Sequence, residues 1–212
     1  MDDTHTFYTP TVYVIDDDDA VRDSIGMLLN SVSLNTELFA APDAFIQAFQ
    51  PAELVNLQGC ILLDIRMPGM SGLECQKWLL THQCHLPIVF ITGHGDVPMA
   101  VQAMKDGAVE FLQKPFHEQT LIDSIHNALQ IDQQRCIHYE QQARVNERVA
   151  QLTPREQEVL KRVVAGNSNK VIAGELNLSQ RTIEIHRAAV MGKMDVSSVA
   201  ELVTLMTMLE VT

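Results

Sequence analysis

The sequence predicts an α/β domain followed by an all-α domain: first a parallel sheet covered by helices on both faces, then a small bundle of four helices. Three observations carry this. Over the first 130 residues short apolar runs alternate with helical patterns five times, and such alternation with right-handed crossovers builds a parallel sheet. From about residue 151 the strand-like runs stop, and helix-length segments follow one another through tight turns. The length of 212 residues holds one large domain or two modest ones, each with a real core, and two fit better.

The strand-like runs lie at residues 12 to 15, 35 to 39, 60 to 63, 88 to 91 and 110 to 112. The helical patterns lie near 19 to 31, 42 to 49, 72 to 82, 97 to 106 and from 118 onward. Behind the first run, Asp18 or Asp19 suits the cap and first turn of the next helix, where carboxylates are favoured by the dipole. Asp106-Gly107 reads as a helix end, with Gly suited to the left-handed cap. Residues 118 to 149 contain no Gly or Pro, which predicts one long helix or two with a short break. Its first part carries the apolar stripe Leu121, Ile125, Ala128 and Leu129, which docks on the sheet. Beyond Gln130 the pattern thins to Cys136, Tyr139, Ala143 and Val149 among charges. A solvated linker helix and a dimerising coiled coil both fit that stretch, because too few heptads are present to separate them.

In the second domain Thr153 is a natural N-cap, Pro154 suits the first helical position, and Glu156 stands three after the cap as in a capping box. The helix runs as REQEVLKRVVA and stops at Gly166-Asn167. NKVIAGELN, TIEIHRAAVMGKM and VAELVTLM follow as three further helices. The middle pair has the spacing of a helix-turn-helix, whose second member enters the major groove of DNA.

Four of the apolar runs end, on the carboxyl side, in a polar residue of a different kind: Asp16-Asp17, Asp64, Thr92 and Lys114. In an open parallel sheet those ends line one crevice, so the four positions converge without any local motif. Clustered carboxylates repel one another unless a divalent cation sits among them. Magnesium is the natural candidate, since it prefers oxygen ligands and is held by one or two carboxylates together with phosphate oxygens. Asp17 and Asp64 fit that role, with Asp16 acting through water. If one carboxylate accepts a phosphoryl group, its oxygens need compensating donors, which Lys114 and Thr92 provide.

The motifs VYVIDDDD (12 to 19), CILLDIRMPGMSG (60 to 72), VFITGHGD (89 to 96) and FLQKPF (111 to 116), in that order, resemble the receiver domain of a two-component response regulator. The resemblance implies a flavodoxin-like fold, a doubly wound five-stranded parallel sheet in the order 2-1-3-4-5. It implies that Asp64 takes a phosphoryl group from the phosphohistidine of a sensor histidine kinase. The backbone carbonyl of Arg66 would be a further ligand of the metal, Lys114-Pro115 a cis peptide, and Phe111 a switch residue moving with the Thr92 loop.

The back half resembles the LuxR-type output domain of the FixJ/NarL class, through LTPREQEVL, the G-N-S-N-K-x-I-A run at 166 to 173, L-x-L-S at 176 to 179, and T-I-E-I-H-R with M-x-K-M behind it. By period Ile183, Val190 and Met194 face the bundle core. The resemblance places Glu184, Ile185, His186, Arg187 and Ala188 around the groove-facing turns, with Lys170 and Thr182 suited to phosphate contact. Arg181 and Lys193 share the exposed face in this reading. Some relatives carry Lys where Glu184 and Ala188 stand, which shifts basic base readout to Arg187. The expected division is a tail over 1–11, a receiver over 12–130, a linker helix over 131–150 and a helix-turn-helix domain over 151–212. The expected partners are a sensor kinase, promoter DNA, a second copy of the chain on phosphorylation, and RNA polymerase.

Composition bounds these readings. The net charge of −12 resides in residues 1 to 130, with 17 acids and 5 bases, while residues 131 to 212 hold 10 of each. DNA binding must therefore come from local clustering of Arg and Lys rather than bulk charge. No stretch approaches the length of a membrane span, and MDDTHTFYTP lacks the blocks of a signal peptide, so a cytoplasmic protein is expected. Cys60, Cys75, Cys84 and Cys136 show no CxxC spacing and are expected to be reduced. The alternatives are a DNA-binding protein with a vestigial receiver, and a magnesium-dependent phosphotransfer enzyme; no enzyme activity is expected from the favoured reading.

Overall fold

The structure, a computed structural model, describes residues 8–93 and 97–209. Residues 94–96 of the threonine-bearing motif lie outside the described residues, as do 1–7 of the expected tail and 210–212. The chain divides into two compact units, Met1–Cys136 and Ile137–Thr212.

The first unit alternates β1 (Thr11–Ile15), α1 (Asp19–Ser31), β2 (Asn35–Phe39), α2 (Pro42–Ala48), α3 (Pro51–Leu54), β3 (Gly59–Asp64), α4 (Gly72–Thr81), β4 (Ile88–Thr92), α5 (Val97–Lys105) and β5 (Glu110–Gln113), then enters α6 (Glu118–Ala150). The strands pair in parallel in the order β2-β1-β3-β4-β5, as the receiver resemblance implied. Strand side chains alternate between faces. Tyr13, Ile15, Ile61, Leu63 and Phe90 pack on one face with Phe45 of α2, Leu54 of α3, Cys75 and Leu79 of α4. Val12, Val14, Leu62, Val89 and Ile91 pack on the other with Ile25 and Leu29 of α1 and Leu121 and Ile125 of α6. Burial on both faces is why these strands read as continuous apolar runs. Among the described residues, the four-residue α3 is the one element of this unit without a counterpart in the sequence reading; it is too short to show a period, and is held by a capping box between Gln50 and Glu53.

Gly59 opens β3 at φ 130°, and a Cβ there would lie 1.8 Å from the Thr11 carbonyl oxygen, so only glycine fits. The same residue anchors α6. Its N–H donates to Asp132 Oδ2 at 2.7 Å, and the Tyr8 hydroxyl lies 3.0 Å from both that oxygen and the Leu129 carbonyl. Asp132 is fully buried, and Arg135 closes the network with an ion pair to Asp132 Oδ1 at 2.6 Å and a hydrogen bond to the Leu57 carbonyl at 2.9 Å. Desolvation, with the Asp132 carboxylate beside it, pushes the Tyr8 phenol up. Residues 131–136, expected to begin a linker, are thus built into the first unit.

α6 is a single helix, and the division between units falls inside it. Its last turns carry Val145 and Val149 into the core of the second unit, with Leu152 behind them. The stretch 131–150 is consumed at both ends for this reason.

The second unit continues with α7 (Pro154–Val164), α8 (Asn169–Leu176), α9 (Gln180–Met194) and α10 (Val199–Thr207). The Thr153 hydroxyl accepts from Glu156 N and the Glu156 carboxylate accepts from Thr153 N, completing the capping box. Ser168, Ser179 and Ser198 cap the next three helices. Asn177 and Asp195 end α8 and α9 in the left-handed conformation. Val159, Val163, Ile172, Ile183, Val190, Met194 and Leu202 form the core. Among the described residues no helix is long and apolar enough to cross a membrane.

Candidate functional site

Register brings the first site together. Ile15 pairs with Leu63, Asp64 with Ile91, and Thr92 with Gln113, so the residues that end or follow β1, β3, β4 and β5 share one edge. They line a crevice of about 300 Å³, formed by Asp16, Asp17, Asp64, Arg66, Thr92 and Lys114 with Asp18, Val21 and Gly93. Asp16 and Thr92 are fully buried, Asp64 is 5% exposed, and Asp17 is exposed.

Local chemistry holds each group. The Asp18 carboxylate caps α1 by accepting from Ala20 N and Val21 N, leaving Asp16 and Asp17 to face the crevice. Asp16 Oδ1 accepts from Asp18 N, and the Arg22 guanidinium donates to the Asp16 carbonyl at 2.7 Å. The Lys114 ammonium lies 2.6 Å from Asp16 Oδ2 and 3.5 Å from Asp64 Oδ1, and the Lys114–Pro115 bond is cis. Asp16, read from the sequence as acting through water, is thus the closest partner of the lysine. Gly72 begins α4 so near β3 that a Cβ would stand 2.3 Å from the Asp64 carbonyl oxygen. Phe111 lies half-buried on β5, paired with Phe90 and packed against the core.

Burial raises the Asp64 carboxyl above its ordinary range; the Lys114 charge opposes this, and the Asp16 and Asp17 carboxylates add to it. Asp16, Asp17 and Asp64 each offer an oxygen within 4.8 Å of one another. An all-oxygen, all-carboxylate donor set suits a hard cation, and magnesium fits it.

In the second unit the residues read as DNA contacts separate into two groups. Lys170, Arg181, Glu184 and Ile185 are exposed, Ile185 to 62%. The others, Thr182, His186, Arg187 and Lys193, are half-buried. Arg187 donates to Asn169 Oδ1 at 2.9 Å, Thr182 shares a hydrogen bond with Ser179 Oγ at 2.8 Å, and His186 is half-buried. Lys193 donates to Glu156 Oε2 at 2.7 Å and approaches the Gln151 carbonyl at 3.3 Å. That bond, with the Thr153 amide, holds the Glu156 carboxyl down at about 2. Arg148, Arg155 and Arg162 likewise pair with Asp195, Glu158 and Glu175.

The family of response regulator receiver domains matches residues 12–126, and that of bacterial regulatory proteins of the luxR family matches residues 150–206. The chain belongs to the FixJ/NarL class of response regulators. It is 44% identical to the transcriptional regulatory protein FixJ of Bradyrhizobium diazoefficiens over 92% of this chain and 93% of that one. It is 41% identical to the response regulator protein TodT of Pseudomonas putida over 91% of this chain and 83% of that one. Among solved structures it is similar to the response regulator StyR, with a TM-score of 0.81 and 45% identity over 94% of this chain and 98% of that chain. Full-length FixJ from B. japonicum gives a TM-score of 0.57 and 43% identity over 96% and 98%.

In this response regulator the crevice combines a buried carboxylate, two flanking carboxylates, an ammonium and a hydroxyl, a set able to receive and neutralise a phosphoryl group. Sequence reasoning missed Arg22, which braces the Asp16 backbone, and Gly72, which lets α4 approach Asp64. Arg22 stands three places after its ion-pair partner Asp19, but its bond to the Asp16 carbonyl has no local signal, and the Gly72 requirement has none outside the folded backbone.

Proposed function

We propose that Asp64 is the phosphoacceptor of a two-component system, and that its phosphorylation switches α7–α10 to productive binding of promoter DNA. A carboxylate oxygen of Asp64 attacks the phosphorus of a phosphohistidine on a sensor histidine kinase. The P–N bond breaks, its electron pair returns to the imidazole, and an acyl phosphate remains on Asp64. Lys114, already beside the Asp16 and Asp64 carboxylates, then faces a phosphoryl dianion on Asp64, and the Thr92 hydroxyl donates to a phosphoryl oxygen. Asp16, Asp17, Asp64 and the Arg66 carbonyl would hold magnesium, which supplies charge neutralisation to the phosphoryl oxygens when bound.

Movement of Thr92 frees space for Phe111, and the face around β5 becomes a surface for a second copy of the chain. Dimerisation presents two α9 helices to two half-sites, with RNA polymerase as the downstream partner, transcription activation as the outcome and the cytoplasm as the compartment. Complete reversal of such a two-state switch needs about 5.5 kcal/mol of bias toward the active form.

The observation that carries this reading is the meeting of Asp64, Asp16, Asp17, Thr92 and Lys114 in one crevice. A catalytic phosphotransferase would give α7–α10 no part. The test measures mass and DNA affinity with and without beryllofluoride and magnesium, for wild type and Asp64→Asn. Wild type becomes dimeric and binds its promoter region more tightly, and the variant does neither. Equal binding in all four samples overturns the reading in favour of a vestigial receiver.

A further inference from the structure

Between residues 181 and 190 the exposed positions of α9 are Arg181, Glu184, Ile185 and Ala188. Their spacing of three, four and seven places them in one stripe along the helix. Ile183, Val190 and Met194 hold the opposite side in the core. Two of the cations read as DNA contacts are engaged within the protein, Arg187 with Asn169 and Lys193 with Glu156. What remains in the stripe is one cation, one acid and two apolar side chains.

Glu184 makes no ion pair or hydrogen bond among the described residues. A free carboxylate on a groove-facing stripe is repelled by phosphates, so it lies there without penalty only against a donor on a base edge. The major groove offers two such donors, the N4 amine of cytosine and the N6 amine of adenine. Adenine presents its N7 acceptor beside that amine, which repels a carboxylate; cytosine presents no acceptor there. Ile185, 62% exposed, has no hydrogen-bonding capacity, and the one large apolar group in the major groove is the thymine methyl.

We propose that Glu184 and Ile185 set the operator preference of this response regulator, the acid accepting from a cytosine amine and the isoleucine packing on the methyl of a neighbouring thymine. The assignment rests on the reading of α9 as the groove-entering helix. It predicts a C next to a T on one strand of each half-site. It also predicts that Glu184→Gln exchanges the cytosine preference for adenine, because an amide satisfies N6 and N7 together.

Full-length protein loaded with beryllofluoride and magnesium is used to select duplexes from a random library, and each thymine of the enriched site is then replaced by uracil. One thymine in each half-site should lose about fivefold in affinity on removal of its methyl, in wild type and not in Ile185→Ala. Selection with Glu184→Gln should return adenine at the adjacent position. Both side chains are exposed, so neither variant disturbs the core, and the uracil scan of wild type needs no variant. Uracil duplexes that bind as well as thymine duplexes overturn the proposal and leave Ile185 as a contact for protein. An enriched site unchanged by Glu184→Gln overturns the role of the acid. A library that yields no preferred sequence overturns both this proposal and the reading of α9 as a DNA reader.

Discussion

Asp132→Asn should destabilise the first unit without making a cavity, because the two side chains have the same shape. In the wild type the carboxylate is fully buried, accepts from Gly59 N at 2.7 Å and the Tyr8 hydroxyl at 3.0 Å, and faces Arg135 at 2.6 Å. Arg135 Nε and Nη1 are buried without acceptors, and its approach to Asp132 Oδ1 lacks hydrogen-bond geometry, so it depends on the charge of Asp132. An asparagine amide removes that charge and turns a donor toward other donors. Breaking a buried pair from one side costs ~3–5 kcal/mol. The Arg135 side chain is 16% exposed, which places the cost near the lower end, about 3 kcal/mol. Trp78 on α4 is the sole tryptophan, so its fluorescence reports the first unit within the intact chain. With a urea slope of about 2 kcal/mol/M, the midpoint should fall by about 1.5 M. Tyr8→Phe should fall by about half as much, and the double variant by less than the sum, since both lose one shared bond. Asp123→Asn, on the exposed side of α6, is the control. A midpoint for Asp132→Asn equal to that of the control refutes the argument that this network holds α6 to the sheet.

Three further outcomes follow from the geometry. The folded Glu156 carboxyl is held down at about 2 against an ordinary 4.5, so its contribution is full above 4.5 and is lost as pH falls toward 2; in Lys193→Met the loss should be smaller and complete at a higher pH, read by amide exchange in α7 and α9. Gly72→Ala forces a Cβ against the Asp64 carbonyl, and phosphorylation of Asp64 by acetyl phosphate should slow by about ten- to a hundredfold; an unchanged rate would show that α4 shifts freely. With an aromatic disulfide reagent, native protein should react at Cys136 alone, because Cys60, Cys75 and Cys84 are buried and their thiols are pushed up by burial, Cys75 to about 12. Reaction of two or more thiols before unfolding would contradict that burial.

The meeting of Asp16, Asp17, Asp64, Thr92 and Lys114 in one crevice was legible because each of them follows an apolar run, and strand ends in a parallel sheet have one destination. Capping residues were equally legible: Thr153, Glu156 and Asp18 act through bonds within four residues of themselves. The buried role of Asp132 was not, since a lone acid on a charged helix reads as solvated. Its signal was positional: Leu121, Ile125, Ala128 and Asp132 continue one stripe, and an acid on an apolar stripe is the exception that calls for buried partners. The Glu156 partner of Lys193 was hidden for a related reason. Charge suggested DNA, whereas its place one position before the core residue Met194 turns it toward the Thr153–Glu156 cap, a partner 37 residues away that no local pattern announces.

The pairing of Lys193, Arg148, Arg155 and Arg162 with acids of their own domain bears on how this regulator meets the ion atmosphere of DNA. Every phosphate that a side chain neutralises liberates condensed counterions and adds about 0.9 to the slope of log affinity against log salt. Side chains already committed to carboxylates of their own domain liberate few. Occupancy of the operator should therefore decline gently as salt rises, and the free energy of recognition should lie in base edges and in the joining of two copies more than in the release of ions.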